Sequence, residues 1–453
     1  MTSAAERLAA NMNFGVLARA TELKKRLLFV LGALIVYRIG TYIPVPGVDP
    51  HIMEEIYQKH MGGVLGVFNM FSGGALQRMT IFALAVMPYI SASIITQVLT
   101  VAVPTLAALK KEGEVGRRRI NQYTRYGTVI LAALQGYGIA VGLEGMTGKN
   151  GSAVIDPGLF FRFTTTVSLV GGTMFLMWLG EQITQRGIGN GISLIIFTGI
   201  VANLPSAIGR TFELGRTGVL STPTILVICL FAVGLIAFIV FMERAQRRVI
   251  VQYPKRQIGN KMFGGESTHM PLKLNSSGVI PPIFASSLLL FPLTIAGFNP
   301  PNAEATGIWP TILRFMTSHL AHGQPVYMLL YVGLIVFFSF FYTSIVFNPQ
   351  ETAENLKKNG GFIAGIRPGQ QTAEYLDYVL VRLTAVGALY LALVCVVPEI
   401  FIAKYAVPFQ LGGTGLLIVV NVTMDFVSQV QSHLFAHQYE GLIKKARLKG
   451  RIK

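Results

Sequence analysis

The sequence predicts an all-α, polytopic membrane protein with ten transmembrane helices. Of its 453 residues, 52% are hydrophobic and only 13% are charged, whereas soluble domains carry about 25% charged residues. Apolar stretches of about 17 to 25 residues, the length that crosses a bilayer, recur from one end of the chain to the other. The membrane-embedded part is therefore the body of the protein and not a single anchor.

Ten stretches have the required length and composition. They lie at about residues 27–43, 79–103, 126–143, 163–180, 192–209, 223–242, 278–297, 326–347, 383–403 and 411–430. Five spans in each half, residues 1–210 and 211–453, would give the two halves opposite orientations, so an inverted repeat is possible. The first span follows Lys24, Lys25 and Arg26 but lacks a small-residue cleavage site, and we predict a retained helix.

The distribution of basic residues predicts the orientation, because Lys and Arg accumulate in short cytoplasmic loops. Placing both termini in the cytoplasm assigns most of the 38 Lys and Arg residues to that side. Much of the formal net charge of +17 then follows from topology alone, so nucleic-acid or acidic-partner binding has to be argued for each loop.

Several kinds of chemistry lack their motifs. No GxxxxGK[ST] loop is present to hold a nucleotide phosphate, so we expect an external source of energy. No HExxH motif or ligand cluster is present, and we expect no metal, cofactor or enzymatic activity. Cys229 and Cys395 both fall in apolar spans and are predicted to be small buried hydrophobic residues.

Two other classes of membrane protein are less compatible with this sequence. A polytopic secondary transporter is expected to place carboxylates near the bilayer midplane, whereas Glu144, Glu181 and Asp425 lie near the ends of spans. An intramembrane enzyme would need a nucleophile and base, or a metal set, within the spans. The sequence favours neither class.

Residues 62–76, GGVLGVFNMFSGGAL, are apolar but too short and too rich in glycine to cross the bilayer. Irregular backbone at membrane depth must be buried in protein or line a watery cavity, because lipid cannot satisfy its amides. From the residues alone, this segment could be either re-entrant or a loop resting at the membrane interface.

Two cytoplasmic loops, at about 244–273 and 348–378, are longer than connectors need to be. Alternation in VIVQY predicts a short strand or hairpin in the first loop, and IRPG predicts a turn in the second. Positive-inside bias and docking of a partner both remain possible reasons for their basic residues.

Five segments are more specific. FNMFSGGAL, MPYISASIITQ, KKEGEVGRRRINQYTRYGT, GEQITQRGIGNGIS and FNPQETAENLKKNGGFIAGIRPG follow one another in this order. Together they resemble the SecY family, the channel subunits of bacterial protein translocases. The resemblance runs from about Leu23 to the basic C-terminal tail.

This resemblance implies ten spans in two inverted five-helix halves, with a re-entrant plug at about residues 62–75 after the first span. The implied plug residues are Gly63, Phe68, Asn69, Phe71, Ser72 and Gly73. The implied pore ring, six apolar side chains at the waist of the channel, is Val86, Ile90, Ile192, Ile196, Ile283 and Ile418. A lateral gate between spans two and three and spans seven and eight would use Ser91, Thr96, Gln97 and Asn275.

The spacing of the implied ring residues agrees with that role. Val86 and Ile90, like Ile192 and Ile196, are four residues apart and share one face of a helix. Apolar side chains that meet in a constriction exclude water and ions by dewetting. Outside the family context, such pairs would be read as core or lipid-facing residues.

The resemblance also implies partners. These are SecE, SecG, the SecA ATPase, the ribosome through ribosomal RNA, and an unfolded preprotein, all at the bacterial plasma membrane. Docking would involve Arg247, Arg248, Lys255, Arg256, Lys357, Lys358 and Arg367.

Overall fold

The computed structural model describes residues 21–59, 64–148, 151–218, 221–253, 256–258, 261–263, 267–298, 324–405 and 413–449. These residues are mostly helical and form two compact units. The first unit is Met1–Ser206, Leu290–Thr317 and Val422–Lys453, and the second is Ala207–Leu289 and Ser318–Asn421. The division into halves at residue 210 stays a prediction.

The described residues of the N-terminal part of the chain form eight helices and two paired strands of two residues each. They are α1 (Thr21–Gly40), α2 (Pro50–Lys59), α3 (Val64–Phe71), α4 (Met87–Ala102), α5 (Pro104–Lys111), α6 (Glu114–Glu144), β1 (Thr147–Gly148), β2 (Gly151–Ser152), α7 (Leu159–Arg186) and α8 (Gly191–Arg216). The helix α3 falls in the segment predicted to be re-entrant.

A sharp bend separates α4 from α5, whose axes differ by 97°. Val103 between them has an extended backbone, with φ −106° and ψ 115°. Pro104 explains both features, because its ring disfavours helical geometry at the preceding residue and it cannot donate a backbone hydrogen bond.

The predicted span at residues 79–103 begins later than expected. Residues 72–86 form consecutive turns, and α4 begins only at Met87. Met79 and Ala85 have positive φ angles, 45° and 49°, which no α-helix accommodates. The segment bonds instead to the chain after α1, where the Val45 amide donates to the Met79 carbonyl.

Ion pairs join α6 and α7 at both ends. Arg125 and Glu181 lie 2.6 Å apart at one end, and Arg162 and Glu144 lie 2.6 Å apart at the other. Glu144 also accepts a hydrogen bond from the Gly158 amide. Both glutamates near span ends therefore pair with arginines on the neighbouring helix, as long side chains at a membrane boundary can.

The C-terminal part adds six helices and five strands in its described residues. They are α9 (Thr222–Arg244), β3 (Gln246–Gln252), β4 (Arg256–Ile258), β5 (Lys261–Phe263), β6 (Ser267–Lys273), α10 (Ile280–Phe298), α11 (Pro325–Val346), α12 (Pro349–Lys358), β7 (Phe362–Ile363), α13 (Gln370–Tyr405) and α14 (Gly413–Lys449). The side chain of Asn348 caps α12 by accepting from the Gln350 and Glu351 amides.

The hairpin predicted in the first long loop is confirmed. β3 pairs antiparallel with β6 over seven residues, and its end also pairs with β7 from the second loop. Val249 and Val251 are buried while the alternate residues of β3 are exposed. Val249 of β3, Leu272 of β6 and Ile363 of β7 form one apolar cluster that packs on α13. One small sheet therefore joins both loops.

The described part of the chain contains seven helices that are long and apolar enough to cross a membrane, or eight if α4 and α5 form one span. The count of ten stays a prediction. The most apolar of these helices, α9, has only 6% of its apolar window buried, as expected for a surface facing lipid. Cys229 on α9 is exposed, so the prediction that both cysteines are buried is wrong for Cys229 and confirmed for Cys395.

Two adjacent glycines of α7 offer a matched test of how closely α7 packs against the turns before α4. A Cβ at Gly172 would collide with the carbonyl oxygen of Ile81, in the turns before α4, whereas a Cβ at Gly171 would meet nothing within 4 Å. We expect Gly172→Ala to destabilise the protein by about 1–3 kcal/mol, the usual effect of overpacking. Gly171→Ala should be neutral or slightly stabilising, since alanine favours a helix.

Thermal unfolding of the two variants in detergent measures the difference. Equal midpoints for Gly171→Ala and Gly172→Ala would show that α7 does not press on the Ile81 backbone.

Candidate functional site

Two of the implied ring residues lie at the start of α4. Val86 is the residue before the first turn, and the Ile90 amide donates to its carbonyl at 3.1 Å. Their side chains are 1% and 6% exposed. The turns of residues 72–86, which follow α3, therefore lead directly into this apolar pair.

Two more ring residues lie in the first turns of α8, where Ile196 is buried and Ile192 half-buried. The start of this helix is held by side chains: Asn190 accepts from the Ile192 amide, and Thr184 of α7 accepts from the Gly191 amide. A Cβ at Gly191 would collide with the carbonyl oxygen of Gly180. The GIGNGIS sequence thus serves a tight helix–helix turn that sets the position of Ile192.

The glycine turn before α8 is also held by α14. The Gly189 amide donates to the side chain of Gln429 at 2.8 Å. Ile188 and Leu23 form a small apolar cluster against which Phe426 packs. The start of α1, the α7–α8 turn and the C-terminal part of α14 therefore support one another within the first unit.

The other two implied ring residues belong to the second unit. Ile283 lies in the first turn of α10 and is half-buried, and Ile418 on α14 is completely buried. A closed ring of six side chains stays a prediction.

The implied plug residues are organised by Asn69. Its side-chain oxygen accepts from the Gln77 amide at 2.9 Å, and its carbonyl accepts from the Gly74 amide and the Ser72 hydroxyl. Asn69, Phe71 and Ser72 are all buried. Gly63 lies outside the described residues, and only the backbone of Phe68 is described.

Side chains from α1 contact this segment, which the sequence did not predict. Arg38 donates to the Gly73 carbonyl at 2.7 Å, and the Tyr37 hydroxyl lies 3.4 Å from the Ser72 carbonyl. A signal was available, because an arginine in the last turn of an apolar span needs a partner.

Three of the implied gate residues lie along α4. Thr96 donates to the Ala92 carbonyl, and the Gln97 amide nitrogen donates to the Ser93 hydroxyl. The side-chain oxygen of Gln97 is buried and accepts no hydrogen bond, while Ser91 is buried near the start of the helix. Gln97 is therefore the unsatisfied polar group on this helix.

The fourth gate residue, Asn275, lies in the second unit and is fully engaged there. Its side-chain amide donates to Glu243 at 2.6 Å and to the Gly278 carbonyl at 3.1 Å, and its oxygen accepts from Ser277. Glu243, at the end of α9, is only 8% exposed. This carboxylate was missed, although an acidic residue at a helix C-terminus is unfavourable and predicts a local partner.

The implied docking residues of the second unit lie on the surface. Arg247 and Arg248 are exposed on β3, Lys357 and Lys358 end α12, and Arg367 is exposed before α13. Lys255 lies outside the described residues, and only the backbone of Arg256 is described. Pairing of β3 with β7 places both loops on one scaffold.

The sequence comparisons agree with this arrangement. The SecY family model matches residues 80–427. A curated relative, the protein translocase subunit SecY of Rickettsia felis, is 57% identical over 428 residues, which cover 94% of this chain and 97% of the relative.

The structural comparisons agree on the fold. A solved protein conducting channel has a TM-score of 0.62 at 16% identity, covering 91% of this chain and 92% of that one. Sec61 in a canine ribosome–channel complex has a TM-score of 0.56 at 15% identity, with the same coverage. The chain belongs to the SecY family.

Proposed function

We propose that this chain is the channel subunit of a bacterial protein translocase, through which unfolded secretory proteins leave the cytoplasm and membrane proteins enter the lipid. The observation that carries this proposal is similarity to a SecY subunit over nearly the whole of both chains. The chain itself performs no chemistry in this scheme.

The seal of the channel is the ring of Val86, Ile90, Ile192, Ile196, Ile283 and Ile418. Branched apolar side chains leave water and ions without partners, so an idle constriction dewets. The same side chains can slide along a stretched polypeptide, because apolar contact is non-directional and favours no particular sequence. Burial of Ile90 and Ile196 in the first unit supports their participation.

The lateral gate uses Ser91, Thr96 and Gln97 of α4 together with Asn275. Buried polar contacts between membrane helices contribute only about 0.6 to 2 kcal/mol each, so a hydrophobic signal helix can displace them. The Glu243–Asn275 hydrogen bond supports a second role for Asn275, because it holds the chain reversal that precedes α10.

Energy and substrate arrive through partners on the cytoplasmic side, where both termini lie. The exposed basic residues on β3, at the end of α12 and before α13 suit the SecA ATPase and ribosomal RNA phosphates, and binding to RNA should weaken steeply with salt. SecE and SecG complete the complex.

A secondary transporter is the less favoured alternative. One carboxylate that the sequence patterns do not single out, Glu399 of α13, lies inside a predicted span and is 5% exposed. The family relationship nevertheless favours a translocase.

Reconstitution tests the proposed function. Vesicles containing this chain with SecE and SecG should protect a secretory precursor from external protease when SecA and ATP are added. A precursor without its signal sequence, and vesicles without ATP, serve as controls. Absence of protected precursor when every component is present would refute the proposal.

The seal is tested by a matched pair of isoleucines on α4. Ile90→Ser should raise the resting ion leak of reconstituted vesicles several-fold, because a hydroxyl in the constriction gives water a partner. Ile95→Ser changes a side chain that is 47% exposed on the same helix and should leave the leak unchanged. Equal leak from both variants would remove Ile90 from the seal.

The gate is tested by Gln97→Leu. Its buried oxygen is unsatisfied in this structure, which costs roughly 1–3 kcal/mol, so leucine should stabilise the state described here and resist opening. We expect export of a precursor with a weakened signal sequence to fall several-fold, with little change for a strong signal.

Gln122→Leu is the control, since Gln122 on α6 is exposed and bonds only to Tyr126 among its described contacts. Unchanged export of the weak precursor by Gln97→Leu would argue against the gate assignment, and increased export would show instead that leucine eases opening.

A further inference from the structure

The segment that leaves α3 has a backbone geometry restricted to a few residue types. Ser72, Gly73 and Gly74, here called the plug hinge, follow the last residue of α3. Gly73 and Gly74 have φ angles of +68° and +86°, in the left-handed region that glycine adopts without steric cost. The hinge therefore has its own conformational preference and can act as a joint between α3 and the turns that lead to Val86.

Two consecutive residues of α1 face two of the three carbonyls of the hinge. The Arg38 guanidinium donates to the Gly73 carbonyl at 2.7 Å, and the Tyr37 hydroxyl lies 3.4 Å from the Ser72 carbonyl. The first is a short, charge-assisted hydrogen bond, which is stronger than one between neutral groups. Within the first unit, α1 thus contacts the backbone of the hinge, and these contacts do not depend on the side chains of the hinge residues.

The guanidinium of Arg38 is held in place for this contact. It also donates to the Thr41 hydroxyl at 3.5 Å and to the Tyr42 hydroxyl at 3.3 Å, and its Cζ lies 5.2 Å from the centre of the Tyr42 ring. A planar fork with several donors can make these contacts at once, whereas a lysine ammonium cannot reproduce their geometry.

Tyr37 is fixed by packing. It is completely buried, and its ring stacks on Phe82, with the ring centres 6.2 Å apart. Phe82 lies in the turns between the hinge and α4. The same α1 residue thus contacts the hinge through its hydroxyl and the downstream turns through its ring.

α8 also approaches the hinge, next to the Tyr37 hydroxyl. A Cβ placed on Gly199 would lie 3.0 Å from the Phe71 carbonyl, 3.1 Å from the Tyr37 hydroxyl and 3.2 Å from the Gly73 amide. Gly199 is three residues after Ile196, about one turn along the same helix. The hinge is therefore in close contact with both the end of α1 and the helix that carries two of the ring residues.

We propose that Arg38, assisted by Tyr37, is the positioning residue that holds the plug hinge and keeps the idle channel closed. This inference rests on the proposed channel function. The clamp is reversible, because a few hydrogen bonds to two carbonyls can be replaced by water when a polypeptide displaces the plug segment. It acts on backbone oxygens, so it tolerates changes in the plug sequence while the glycines of the hinge remain.

The test compares Arg38→Met, Arg38→Lys and Tyr37→Phe in the reconstituted complex with SecE and SecG. Loss of a hydrogen bond to a charged group changes a conformational population by roughly tenfold or more, so Arg38→Met should raise the resting ion leak by about that factor. Arg38→Lys, which retains one donor for the Gly73 carbonyl, should recover part of the seal. Tyr37→Phe keeps the stacked ring and should cause a smaller increase.

Arg118→Met is the matched control, since Arg118 is 84% exposed near the start of α6. A second readout reports the plug segment directly. With Cys229 and Cys395 replaced by serine and alanine, a single cysteine at Met70, which is 4% exposed, is treated with a membrane-impermeant maleimide. Labelling should be faster in Arg38→Met than in the parent and the Arg118→Met control.

Unchanged leak and unchanged labelling in Arg38→Met, with Ile90→Ser still leaking, would overturn the proposed clamp and leave the channel function intact. Failure of the parent complex to translocate a precursor would instead refute the proposed function. If Arg38→Met does not accumulate, Arg38→Lys and Tyr37→Phe decide the question: a leak from both no greater than that of the parent overturns the clamp.

Discussion

The hydrocarbon of a bilayer offers no hydrogen-bond partner, and this constraint governs most of the structure. Every backbone amide at membrane depth must be satisfied by the protein itself, which helices do within one segment. The constraint explains why apolar side chains can face outward on α9 while the irregular residues 72–86 are almost entirely buried. Turns are tolerated only where protein surrounds them.

The turns between the hinge and α4 meet this requirement through contacts with the chain that follows α1. The Ile81 amide donates to the Ile43 carbonyl, and the Val45 amide donates to the Met79 carbonyl. Gly172 of α7 approaches Ile81 so closely that a side chain would not fit. Irregular backbone is thus supported by close packing on glycine and by paired main-chain groups. In the proposed channel, a movable plug and a rigid start for α4 can then share one short stretch of chain.

The water-exposed loops follow a different logic. Alternation of buried valines on β3, capping of α12 by Asn348 and packing on α13 produce a rigid platform from two loops that are distant in sequence. Basic side chains project from this platform into water, where their charges carry no desolvation cost. In the proposed docking, long-range attraction would act on an ordered scaffold, while the membrane part relies on apolar contact and a few buried hydrogen bonds.

The sequence by itself determined the helical membrane class, most span positions, the hairpin of the first long loop and the family. These features depend on local periodicity, composition and motif order, which are legible residue by residue. Tertiary structure alone decided that α4 begins at Met87, that Asn275 pairs with Glu243, and that Arg38 contacts the Gly73 carbonyl. The two pairs join residues 32 and 35 positions apart, and the start of α4 depends on backbone angles. No local pattern encodes which distant group will lie opposite a side chain once the helices pack.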